Sequence, residues 1–292
     1  MGLYGKIPAE CDFVRVNAGA FLQAGLDRWF QEGVERLQRA RLPEEPACFL
    51  LSPAAGLLPF VGVFAPGEDA LGRAFPVVVL AALDQPPRAD LSLLPLRLAS
   101  FFEAAARLAA AAHELATGQL AAEIDTLASD VRPAAQTLDG LLLRSSGADL
   151  CAALGGPCEA AAYALTTLVA ACTQTKTRQP ESSARVLVLD CPAPTDELRT
   201  FWLELVQRRL DALMPSFLWT RESGRLLIAL GPAPSLMLAY LADPDHKSSH
   251  RWPLRTPIAH VDAMEKLSPS QRQVLAAGDA SLADVLHVFS LA

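Results

Sequence analysis

The chain has 292 residues, of which 51% are hydrophobic and 20% charged, a balance too apolar and too weakly charged for intrinsic disorder. Its net charge of −7 comes with no long basic stripe, which argues against a nucleic-acid backbone or an anionic membrane as partner. The most apolar window, 101–120, is broken by Glu103, Arg107, His113 and Glu114, and the first residues lack the apolar core of a secretory signal, so a cytoplasmic protein with no integral membrane segment is expected.

In chain order, Leu3 to Ile7 reads as a short strand stopped by Pro8, which has no N–H to give to a ladder. Apolar residues then recur at helical spacing from Ala18 to Leu37, with Asn17 as the expected N-cap. Three strand-like runs follow, Cys48 to Ser52, Phe60 to Phe64 and Phe75 to Leu83, and the unbroken apolar stretch Val77 to Leu80 predicts a strand covered on both faces. The Ala- and Leu-rich segments Leu91 to Leu115 and Leu120 to Leu127 are the helices expected to cover it. Strand, helix, three strands and two helices make an α/β chain of the α+β type, with helices packed on a sheet.

The length exceeds what one core usually serves, so two mixed units are expected, 1–132 and 133–292. In the second, Leu138 to Leu143 and Cys158 to Cys172 read as helices, and the aperiodic polar run Lys176 to Ser183 as a surface loop. A strand at Arg185 to Leu189 precedes an amphipathic helix at Asp196 to Met214, capped by Thr195. Glu222-Ser223-Gly224 joins two strands in a hairpin, Leu236 to Leu241 is helical, and a helical tail ends in Ser281 to Phe289 with Ser281 as cap.

Catalytic signals are sparse: the chain has no G-x-S-x-G, no H-E-x-x-H and no phosphate-binding G-x-x-x-x-G-K-[ST]. The six cysteines lack C-x-x-C spacing and read as reduced thiols, Cys11 among them as a structural one. His246, His250 and His260 with Asp243, Asp245 and Asp262 are ligand types, yet they fall in a polar stretch where solvation explains them. The pair Asp190 and Asp196 is likewise read as solvated ends of elements, and no catalytic residue, metal or cofactor is assigned.

The motifs that remain are Gly5-Lys6-Ile7-Pro8, Asp12-Phe13-Val14, Gly62-Val63-Phe64-Ala65-Pro66, Asp69 and Gly72-Arg73-Ala74-Phe75-Pro76. In this order they resemble the TagF family, also called ImpM, of type VI secretion accessory proteins. Two departures stand out: Cys11 where the family has glycine, and Gly67 where it has serine. The resemblance implies a longin-like N-terminal sheet and a non-enzymatic cytoplasmic regulator, a post-translational repressor or assembly accessory of the secretion system. It also implies contact with type VI secretion components, the Fha-type forkhead-associated scaffold first among them. On this reading Lys6, Asp12, Asp69 and Arg73 are the candidate protein-binding residues, while Arg73 could equally be paired with Asp69 for structure alone. A longin-type adaptor for a GTPase or trafficking partner, and a hydrolase with a site assembled from distant residues, are the competing classes.

Overall fold

Strict alternation along the strands sends successive side chains to opposite faces of a sheet, and here both faces are apolar. In a computed structural model, which describes residues 1–37, 40–52, 58–83, 88–127, 137–178, 186–211, 215–255 and 262–291, this produces one nine-stranded sheet. The strands are β1 (Gly2–Gly5), β2 (Val14–Val16), β3 (Ala47–Leu51), β4 (Phe60–Ala65), β5 (Val77–Ala82), β6 (Val188–Pro192), β7 (Ser216–Thr220), β8 (Arg225–Ala229) and β9 (Arg251–Pro253). Their order is β2-β1-β5-β4-β3-β7-β8-β6-β9. Every pairing is antiparallel except β6 with β9.

Strands from both halves of the chain meet at β3 and β7, in the register Cys48 to Trp219 and Leu50 to Phe217. The expected boundary between 132 and 133 lies outside the described residues.

The helices are α1 (Gly19–Gln23), α2 (Leu26–Glu35), α3 (Leu94–Arg97), α4 (Ala99–Ala111), α5 (Thr117–Thr126), α6 (Leu138–Leu142), α7 (Gly147–Ala153), α8 (Cys158–Arg178), α9 (Asp196–Leu210), α10 (Met237–Ala242), α11 (Pro269–Ala276) and α12 (Leu282–Ser290). They divide between the two faces. Cys48, Leu50, Val77 and Val79 point into a core shared with α4, α8, α9 and α12. Phe49, Leu51, Val78 and Leu80 point into a second core closed by α1, α2 and α10, where Phe21, Phe30, Phe49 and Phe64 pack as offset and edge-on rings. The Val77 to Leu80 run is therefore covered on both sides, with α4 among the covering helices.

Most of the expected elements are present; the segment read as one helix over Leu91 to Leu115 is divided into α3 and α4, α7 and β9 come where no element was expected, and three further differences follow. The first helix is split at Gly25, whose φ of 71° suits glycine, and Asn17 is no cap: it lies at φ 49° and its Nδ2 donates to Asp125. The helix read as ending at Cys172 runs to Arg178, so Lys176, Thr177 and Arg178 are helical, while 179–183 lie outside the described residues. The threonines that make this stretch look irregular bond back into the helix, Thr173 to the Val169 carbonyl and Thr175 to that of Ala171. Third, Val14–Val16 is a strand of its own, on the edge beside β1. The caps at Thr195 and Ser281 are as expected, each hydroxyl accepting an N–H three residues on.

Candidate functional site

The motifs at residues 5–13 and 66–76 come together at one end of the sheet, around one buried carboxylate. Between β4 and β5 the chain makes an excursion from Pro66 to Pro76, closed at its base by the Phe75 N–H on the Gly67 carbonyl at 2.9 Å. Gly72 turns its tip at φ 72°, with its N–H on the Asp69 carbonyl at 2.8 Å. Asp69 sits inside this loop, 2% exposed, and its Oδ1 accepts the N–H groups of Leu71 at 3.0 Å and Arg73 at 2.9 Å. Its Oδ2 takes Lys6 Nζ at 3.0 Å and Arg73 Nε at 2.7 Å.

The same cations tie the loop to the β1–β2 connection. Lys6 is buried and its ammonium lies 5.1 Å from the centre of the Phe13 ring. Arg73 passes over Asp69 to donate from Nη2 to the Cys11 carbonyl at 2.6 Å, and the Ala70 N–H reaches the Glu10 carbonyl at 2.8 Å. Tyr4, Phe13 and Phe75 pack around this junction, Tyr4 stacked on Phe13 at 5.0 Å. Gly67 allows the close approach: a Cβ there would stand 2.6 Å from the Lys6 carbonyl oxygen and 2.7 Å from that of Phe75. Gly67 thus lets the loop lie against the residue that follows β1.

Burial pushes the Asp69 carboxyl up, but the Arg73 N–H, Lys6, the Arg73 guanidinium and the Leu71 N–H outweigh it and hold the group well below the usual carboxylate range. Of the four residues singled out from the sequence, Lys6, Asp69 and Arg73 therefore meet in one clamp. Asp12 stands beside it, exposed, with its carboxylate on the Phe13 N–H at 2.8 Å. What the clamp presents outward is the half-exposed side chain of Arg73 and the loop tip, where Leu71 is 66% exposed. Beside the loop opens a largely apolar cleft of about 680 Å³, lined by Lys6, Val34, Leu37, Phe75, Ala109 and His113 among others.

A second buried ion cluster escaped the sequence reading. Asp190, taken there for a solvated strand end, is 8% exposed and receives Arg225 Nη2 at 2.8 Å and Arg251 Nη2 at 2.5 Å. Its partners lie 35 and 61 residues away. The available signal was a carboxylate inside the apolar run Val186-Leu187-Val188-Leu189-Asp190-Cys191.

Chemistry elsewhere is quiet. Burial pushes the thiols of Cys48 and Cys172 up to about 12, which keeps them protonated and poorly nucleophilic. Among the described residues no group of three His, Cys, Asp or Glu is placed to hold a metal ion, His260 lying outside them. No helix among them is long and apolar enough to cross a membrane.

Fold and site together define a mixed α/β protein whose sequence motifs build an ion-clamped loop on the surface. Residues 2–127 match the TagF N-terminal domain family, described as type VI secretion system-associated. The chain is also similar to the crystal structure of PA0076 from Pseudomonas aeruginosa PAO1, with a TM-score of 0.52 and 19% identity over 88% of this chain and 99% of that one, a likeness of fold. A search of curated proteins finds no match.

Proposed function

We propose that this chain is a non-enzymatic, cytoplasmic regulator of the type VI secretion system that works by protein contact, with an Fha-type forkhead-associated scaffold as its partner. The observation that carries the reading is the match of residues 2–127 to a type VI secretion-associated domain, together with what its motif residues do in this chain. They hold a loop rather than surround a reacting centre. Lys6 and Asp69 are too buried to touch a partner and act by fixing the loop, while Leu71, Arg73 and Asp12 form the face that is offered. An apolar cleft flanked by a loop with an exposed leucine is the kind of surface that a protein partner covers.

Leu71→Asp tests the surface without touching the core, since the side chain lies at the loop tip, and surface changes of this kind cost within about 0.5 kcal/mol. In affinity capture from cells that carry the secretion cluster, the wild-type chain is expected to retain the Fha-type scaffold and the variant to lose it while unfolding at the same temperature. Equal capture by both would remove the loop from the interface, and capture of no secretion component by the wild type would remove the reading itself.

A further inference from the structure

The ion cluster around Asp190 is also the floor of a cleft of about 550 Å³ at the carboxyl end of β6, outside the family-matched residues. Four cationic side chains line it, Arg225, Lys247, Arg251 and Arg255, against two carboxylates, Asp190 and Asp245. The lining is thus positive in a chain whose net charge is −7.

The two inner guanidiniums are fixed in place. Arg225 donates to Asp190 and to the carbonyls of Tyr240 and Leu241, each at 2.8–2.9 Å, and Arg251 to Asp190 and the His246 carbonyl. Their side chains are only 16% and 7% exposed, so one carboxylate answers two positive charges in a poorly hydrated corner. Each also spends fewer bonds than a guanidinium can make. At the rim, Lys247 and Arg255 are exposed and have no hydrogen bond or ion pair among the described residues. The hydroxyls of Ser223 and Ser248 complete a polar lining.

We infer that this cleft is an anion site that takes a phosphate monoester, with the Arg225–Arg251 pair as its fixed floor and Lys247 and Arg255 closing on the ligand from the rim. A tetrahedral dianion matches the excess charge and the several unspent N–H donors, and the volume leaves room for the group that carries the phosphate. The inference stands apart from the regulatory reading, since it uses none of the loop residues.

The test is calorimetric titration of the full chain with inorganic phosphate and, separately, with O-phosphothreonine. Saturable binding with Kd near or below about 1 mM is expected for at least one probe. If O-phosphothreonine binds more tightly, the source is a phosphorylated side chain; if the two are equal, it is free phosphate. The double variant Lys247→Ala with Arg255→Ala should bind at least about tenfold more weakly and unfold at the wild-type temperature, because both side chains are exposed and neither is bonded among the described residues. No heat from either probe, or equal affinity in the variant, would overturn the site.

Discussion

Asp69→Asn is expected to unfold at a temperature several degrees lower than the wild type at pH 7, and to lose most of the chain's extra sensitivity to acid in the range where this carboxylate titrates. The carboxylate is the common acceptor for Lys6, the Arg73 guanidinium and the N–H groups of Leu71 and Arg73. An amide keeps one acceptor oxygen and turns an N–H₂ donor toward two cations whose ion pairs, among the described residues, are with this carboxylate, so the buried Lys6 ammonium is left with its desolvation cost.

The pH dependence follows from the depressed acidity. The folded-state pKa lies below the unfolded value of about 3.9, so the wild-type contribution is complete above that value and is lost as pH falls through the folded one. Thermal unfolding followed by circular dichroism between about pH 7 and pH 2 reads both effects, and the variant's curve should fall less steeply below about pH 4. Equal midpoints at pH 7 would show that the loop is not held by this ion cluster.

Asp190→Ala should be more damaging still in the second half of the sheet, by about 3–5 kcal/mol, the range for removing one partner of a buried ion pair. The carboxylate belongs to β6, and its two arginines begin β8 and β9, so it links three neighbouring strands. Edge strand β9 has only three residues paired, and the Leu254 N–H that follows it bonds the Asp190 carbonyl at 2.9 Å. Denaturant unfolding is expected to show the loss, and hydrogen exchange should accelerate first at Leu254 and the β9 amides. Asp190→Asn, which can still accept from one arginine, should lose less. A cost under about 1 kcal/mol for Asp190→Ala would mean that the arginines are satisfied by the carbonyls of Tyr240, Leu241 and His246 alone.

These two carboxylates also mark what the sequence could and could not reveal. Asp69 was legible because its partners are near or in an ordered motif: Arg73 is four residues on, and Lys6 sits in the Gly5-Lys6-Ile7-Pro8 run. Even there, the sequence suggested residues for contact, and the fold turned two of them inward. Asp190 was illegible because charge partners 35 and 61 residues away leave no local pattern, and only strand order brings them together. Periodicity located α2 and α9 well, and the Ala- and Leu-rich composition located α4, because each packs apolar residues into a core. It failed where local geometry decided, at Gly25, where a left-handed residue breaks the first helix, and along α8, where threonine hydroxyls bond within the helix. Pairing of β3 with β7 is the most consequential feature that no local signal carried, since it lets the two halves of the chain share one sheet.

Restraint of type VI secretion by contact through the clamped loop, the form of regulation we propose, is read out in cells. Secretion activity is measured in a strain lacking the gene, complemented with either the wild-type chain or Leu71→Asp. Raised secretion is expected in the deletion strain, with restraint restored by the wild type and not by the variant at equal protein level. Unchanged secretion on deletion, or full restraint by Leu71→Asp, would contradict it.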